Sequence, residues 1–235
     1  MSLTYSTYVT SLANMLVVPT ADAGLTTVLP NIIDDAEQYL YRELDLLNTV
    51  QRDSSAALVA GNRNFNLPST NGTFIVCKEF NVVTPTATQP DSGTRNPLVP
   101  ASMEMLNWMW PSVTGSTVPQ YFAMVTQSSI IVAPWPDQAY TVEVVGTLRP
   151  PALSSSVATT LLSVYFPDLM LSASMIFAAG YQRNFGAGVD DPQMAGNWSA
   201  HTKMLLTSAQ TEEMRKRFSD GSIKDISVPS PTPRT

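Results

Sequence analysis

The stretch IIVAPWPDQAYTVEVV, residues 130–145, holds two apolar, β-branched runs separated by Pro134, Trp135, Pro136 and Asp137. Each run has the length and composition of a β-strand. Proline cannot donate to a β-ladder, so the two prolines must stand outside the paired region. The spacing predicts a hairpin with Trp135 at its tip, stiffened by the flanking rings and blunted against further edge pairing. Tryptophan is enriched at interface anchors. We therefore expect Pro134, Trp135 and Pro136 to meet another protein surface. The competing expectation is that Trp135 folds back on its own sheet.

The strand pattern extends to both sides. NFNLP, TFIVCKEFNVV, QYFAMVTQ, SIIVAP and YTVEVVGTLRP are short, rich in β-branched and aromatic residues, and parted by Gly, Pro, Asn and Ser. Strands at this spacing predict a small β-sandwich or barrel over residues 53–155. TPTATQPDSGTRNP, residues 84–97, reads as an exposed, mobile loop. ASMEMLNWMWPSV reads as a short helix or an irregular cap, with Met103, Met105, Trp108, Met109 and Trp110 expected to be buried over the sheet.

Helical periodicity flanks this region. Tyr5, Tyr8, Val9, Leu12, Met15 and Leu16 recur at helical spacing. A second helix is expected to start at Pro30. Its stripe is Ile32, Ile33, Ala36, Tyr39, Leu40, Leu44 and Leu47, with Glu43 at the edge and Asp34, Asp35, Glu37 and Gln38 mostly off it. FPDLMLSASMIFAAGYQRNFG is apolar nearly all round, which predicts burial on several sides. A last helix is expected to be capped by Asp191, with Pro192 in its first turn and a stripe of Met194, Trp198, His201, Leu205 and Ala209. The fold class read from these patterns is α+β. Residues 1–52 and 156–218 form an antiparallel helical bundle, residues 53–155 a β insertion, and residues 219–235 an extended tail. In that tail Ile223, Ile226 and Val228 are spaced apolar anchors in a proline-rich run. Such a segment either docks on a partner or stays disordered.

Composition narrows the function. Only 14% of the 235 residues are charged, where about 25% is usual. A surface with few charges is poorly protected against association, so we expect much of it to be covered by neighbours. A net charge of −6 argues against gripping nucleic acid, which needs a basic footprint. It leaves open a surface past which DNA slides. One cysteine and one histidine cannot build a zinc site of the Cys/His kind. No apolar run is long enough to span a bilayer. MLVVPTADA has no Lys or Arg before it, so it is not read as a signal peptide, and synthesis in a cytoplasm is expected.

No catalytic pattern stands out. His201 is the sole candidate imidazole base and falls on the apolar stripe, where a packed role is expected. There is no Gly-x-Ser-x-Gly elbow and no P-loop. Asp34 and Asp35 are adjacent on a helix and point apart, and Asp190 and Asp191 are explained by capping. No catalytic, metal or cofactor site is predicted, which favours a binding or structural protein. A hydrolase would need His201 exposed, and a carbohydrate-binding module would use Trp108 and Trp110.

Four stretches, in this order, resemble the head-to-tail adaptor (connector) proteins of tailed bacteriophages. They are VLPNIIDDAEQYLYRELDLL, VAPWPDQAYTVEVVGTLRPPALS, TTLLSVYFPDLMLSASMIFAAGYQRNFG and DDPQMAGNWSAHTKMLLTSAQTEEMRKRF. With their spacing they cover most of residues 20–218. The resemblance implies a virion structural protein at the neck, in a twelve-fold ring between the portal protein and the tail or nozzle proteins. It implies that DNA passes through the ring without sequence-specific binding, with no cofactor and no membrane. It also implies that Ile223, Ile226 and Val228 carry the tail to the portal. On this reading some of Asp34, Asp35, Glu37, Glu212 and Glu213 face the channel. The other reading is a tail-side component, such as a tail-completion or tail-tube protein.

Overall fold

The computed structural model describes residues 2–182 and 194–221. The chain divides into a helical unit, Met1–Leu47 with Ala152–Thr235, and a β unit, Asn48–Pro151. The helices are α1 (Tyr5–Leu16), α2 (Ala23–Glu43), α3 (Met103–Met109), α4 (Leu161–Tyr165), α5 (Pro167–Gln182) and α6 (Met194–Gly221), of which α3 alone belongs to the β unit.

In the helical unit, Thr4 caps α1 through a capping box with Thr7. Helix α2 begins earlier than its proline suggested. Asp22 accepts the Leu25 N–H at 2.8 Å, so the helix starts at Ala23 and Pro30 lies in its interior. A proline there removes one backbone bond. The turns ahead of it bury Leu25 and Leu29, and that burial holds the longer helix together. Helix α5 packs against α1, α2, α4 and α6, as its all-round apolar surface requires. Leu169, Met170, Ala173, Met175 and Ala178 are all buried. On α6 the buried positions are Thr202, Leu206, Ala209 and Glu213; of the expected stripe Ala209 is buried, and Met194, Trp198 and Leu205 pack partly buried against the core. His201 is turned to solvent. The cause lies at the α5–α6 contact, where the hydroxyls of Ser172 and Thr202 meet at 2.8 Å and set the rotation of the helix. Asp191 and Pro192 lie outside the described residues.

The β unit holds β1 (Val50–Ala57), β2 (Asn64–Asn66), β3 (Thr73–Thr84), β4 (Thr94–Pro97), β5 (Val99–Pro100), β6 (Tyr121–Thr126), β7 (Ser129–Ala133) and β8 (Thr141–Arg149). They form two four-stranded sheets, ordered β1-β8-β3-β4 and β2-β7-β6-β5. Neither sheet closes into a barrel among the described residues. Residues 130–145 are therefore not a hairpin. Strand β7 pairs with β2 and β6, while β8 pairs with β1 and β3, so the Pro-Trp-Pro segment carries the chain from one sheet to the other. Pro134 and Pro136 have no N–H to continue a ladder. The carbonyls between the strands are taken up by loops instead: Thr117 N–H donates to Trp135 O at 2.9 Å and Gly61 N–H to Pro136 O at 2.8 Å.

Strand β7 lies between two cores. Ile130 and Val132 join Phe65, Phe74, Phe80, Val142, Val144 and Leu148 in a core shared by both sheets. Ile131 and Ala133 join Leu106 of α3 and Ala123 of β6 in a second. Burial on both faces explains the unbroken apolar run.

Three strands escaped the sequence reading: β1, β4 and the two-residue β5. VQRDSSAA of β1 is polar and gains its place by pairing with β8. Strand β4 rises from the segment expected to be a loop. It is held by a polar network across three strands. Arg95 Nε donates to Glu143 Oε2 at 2.9 Å, Asn81 Nδ2 donates to the same oxygen at 3.2 Å, and Arg95 Nη2 reaches Asp91 at 2.9 Å. Glu143 is buried, and the Arg95 hydrogen bond holds its carboxyl below the usual carboxylate range despite that burial. A lowered folded-state value means stability that is present above the unfolded pKa and lost as pH falls. Glu143→Gln is expected to lower stability at pH 7, with the gap to wild type closing below the ordinary carboxylate range. Chemical denaturation of both proteins across pH checks this.

Candidate interface

Helix α3 is short because its signals are local. Ser102 accepts the Met105 N–H at 3.2 Å, and the helix ends at Trp110. Two turns offer one buried position, and Leu106 fills it completely. Met105, Trp108 and Met109 stand at i, i+3 and i+4, so they share one side. That side faces solvent: Trp108 is 82% exposed and both methionines are exposed. Met103 and Val113 nearby are exposed too. This corrects the expectation that the Met/Trp cluster is buried over the sheet. Scattered apolar exposure is ordinary, whereas a clustered Trp–Met ridge is a candidate binding surface. Methionine adapts to irregular partners, and Trp and Met are enriched in interfaces.

Trp110, at the end of α3, does pack inward. Its ring lies 5.6 Å from that of Tyr121, and its carbonyl accepts Trp135 Nε1–H at 3.1 Å. Trp135 is half-buried, with the Arg63 guanidinium 5.4 Å above its ring. Pro134 and Pro136 are buried. The three residues expected at a projecting tip are folded onto their own unit, and the exposed tryptophan is Trp108. Trp135→Ala is expected to destabilise the β unit by about 2 kcal/mol or more, since it removes a packed ring, a hydrogen bond and a cation–π contact. A thermal melt against wild type checks this.

Among the acids expected to line a channel, Asp34, Asp35 and Glu212 are exposed. Asp34 accepts from Gln38 at 2.7 Å, and Glu212 lies 3.1 Å from Lys216. Glu37 and Glu213 are only 3% and 6% exposed and point into the helical unit. A channel-lining acid needs access to the lumen, so these two are corrected to internal roles. Glu37 accepts the Thr160 hydroxyl at 3.0 Å and faces the Leu153 N–H at 3.4 Å. Burial pushes its carboxyl up to about 7. Glu213 accepts the Leu47 N–H at 3.0 Å and pairs with Lys216 at 2.6 Å. The sequence carried one clue to Glu37: it stands four residues after Ile33 and three before Leu40, on the buried stripe. Ile223, Ile226 and Val228 lie outside the described residues.

Chemistry finds little foothold. His201 Nδ1 lies 3.0 Å from Ser172 Oγ, but that hydroxyl is buried and shared with Thr202. No ion pair joins the ring to a carboxylate among the described residues. No cluster of His, Cys, Asp and Glu there could hold a metal. A cleft of about 230 Å³ beside the end of α2 and α6, lined by Glu43, Leu44, Asp45, Gln210, Glu213 and Met214, is smaller than a usual ligand pocket. No described helix is long and apolar enough to cross a membrane.

The family model of the SU10 adaptor protein matches residues 3–222. The chain belongs to the SU10 adaptor protein family. It is a bacteriophage head-to-tail adaptor. No curated protein matches it. The matched span takes in both units of the adaptor, including the α3 ridge and the two buried glutamates.

Proposed function

We propose that the adaptor is a non-enzymatic ring component between portal and tail, with DNA leaving through its centre. The observation that carries this reading is the family match over residues 3–222. Low charge supports it, because each copy in a ring is covered on two sides and also above and below. In this reading the helical unit is an antiparallel bundle, the two sheets form a sandwich, and twelve copies close the ring. Asp34, Asp35 and Glu212 remain the candidates for a channel wall from which DNA is repelled. The anchors Ile223, Ile226 and Val228 reach the portal.

The ridge of Met105, Trp108 and Met109 meets the next copy. Its three side chains are apolar, with Glu104 the charged residue one turn before Trp108 at its edge, which suits an apolar homo-oligomeric contact with a polar rim. A closing ring uses heterologous contacts, so the ridge seats on a different surface of its neighbour.

Electron microscopy of the adaptor mixed with the portal protein from the same genome tests the reading. A twelve-fold collar beneath the portal is the expected result. A bare portal with free adaptor overturns it in favour of a tail-side component. A photo-reactive side chain at position 108 then identifies what covers the ridge. Adaptor–adaptor adducts are expected, and adducts to tail protein alone would reassign it.

A further inference from the structure

The two chain segments that join the helical unit to the β unit are both fastened by carboxylates. On the outward path, Glu213 of α6 accepts the N–H of Leu47, the last residue of its segment, and its other oxygen pairs with Lys216. On the return path, both oxygens of Glu37 on α2 lie 3.4 Å from the Leu153 nitrogen, and one accepts the Thr160 hydroxyl at 3.0 Å. Thr160 is also the cap of α4. The strap between these two residues, 153–160, is tied to the start of the chain. Tyr5 N–H donates to Ala158 O, and just beyond the strap Leu3 N–H donates to Ser163 O, both at 2.8 Å.

The two fastenings differ in charge. Glu213 has a lysine at 2.6 Å. Glu37 has no ion pair among the described residues. From its own helix the titratable neighbour is Asp34, and from α1 it is the buried phenol of Tyr8, which donates to Ser174 of α5 at 2.6 Å. The strap and α4 bring only the Leu153 amide and the Thr160 hydroxyl to it. A carboxylate this deep with no cation is disfavoured by lost hydration, and Asp34 adds repulsion.

We propose that Glu37 is a proton-operated latch on residues 153–160: the neutral acid stays seated against the strap, and the carboxylate is driven outward, freeing Leu153 and the α4 cap. The geometry stands by itself, independent of the ring reading. The shift of Glu37 to about 7 places the change in the neutral range. The sign follows from linkage. Released into water, the group titrates near 4.5. Between that value and about 7 the seated state binds more protons, so release is favoured as pH rises. The Glu213 fastening, with a lysine at 2.6 Å, is the comparison within the same unit.

Carbon-13 titration of the glutamate carboxyls in the intact adaptor reads the latch directly. The resonance lost in Glu37→Gln is expected to titrate near neutrality. Amide exchange of the peptide over residues 150–162, corrected for intrinsic rates, is expected to show opening increase about tenfold from pH 6 to pH 8. The same peptide should be flat with pH in Glu37→Gln, and residues 45–50 should be flat in both proteins. A Glu37 resonance titrating at the ordinary carboxyl value overturns the latch. Equal pH dependence of the strap in wild type and Glu37→Gln also overturns it. If Glu37→Gln does not fold, Thr160→Val replaces it. Removing the hydroxyl that favours the anion moves the midpoint further up, and an unmoved midpoint counts against the latch.

Discussion

Valine in place of Gly146 unfolds the β unit, with an expected loss of about 4 kcal/mol or more, in the range reserved for a backbone clash in a core. Strand β8 is the second strand of its sheet, between β1 and β3. The register of β3 against β8 shifts between Phe74 and Val76 and again between Cys77 and Glu79, and Gly146 stands opposite Cys77 between those shifts. A Cβ there would collide with the Val76 carbonyl oxygen and sit 3.1 Å from Cys77 Cα. Both obstacles are backbone, so no side-chain rotation relieves them. The sheet must move as a whole or come apart, and it carries Phe74, Phe80, Val142 and Val144 of the shared core. Gly146→Ala should already show a large part of the loss. Urea denaturation followed by near-ultraviolet circular dichroism checks this, and a Gly146→Val melt within about 2 °C of wild type would contradict it.

Trp108→Ala is expected to leave the isolated adaptor as stable as wild type and to weaken assembly sharply. A side chain this exposed supports little of its own fold, and surface changes of this kind stay within about 0.5 kcal/mol. At an interface the same ring is a hot-spot candidate worth about 2 kcal/mol or more, some thirtyfold per contact. In the proposed ring that loss repeats at each junction, so collar formation on the portal is expected to fail before any single contact is abolished. Met105→Ala and Met109→Ala should act in the same direction and less strongly. Leu106→Ala is the control with the opposite signature, because Leu106 is wholly buried and its loss destabilises the monomer. Thermal melts, with electron microscopy of adaptor–portal mixtures, separate the two cases. Collars at wild-type yield with Trp108→Ala would remove the ridge from the assembly contact.

Much of the local structure was legible from short-range pattern. The strand runs TFIVCKEFNVV and YTVEVVGTLRP appear where β3 and β8 lie, since β-branched and aromatic residues favour the extended backbone they need. Helix α5 was legible because a surface apolar on all sides can be satisfied only by several neighbours. Its partners α1, α2, α4 and α6 are those neighbours. The polar strands β1 and β4 were not legible, because their place depends on β8 and β3 and not on their own residues. The channel acids show the same limit. Asp34 and Glu37 are one chemical class, three residues apart on one helix, yet one is in water and the other is sealed against Leu153 and Thr160.

The sequence by itself determined that this chain mixes helices with a central run of strands, that it lacks a basic footprint, and that its ordered stretches resemble phage adaptors. The first two follow from composition and from periods of two and 3.6 residues, which act locally, and the resemblance lies in the order of the quoted stretches. Only the tertiary structure decided which tryptophan is free. Trp135 and Trp108 are equally apolar in sequence. The crossing of residues 130–145 between two sheets folds Trp135 under Arg63 and onto the Trp110 carbonyl, and the filling of α3's single inward position by Leu106 leaves Trp108 in water. Whether a residue is buried depends on which distant strand or helix arrives beside it, and no local period carries that information.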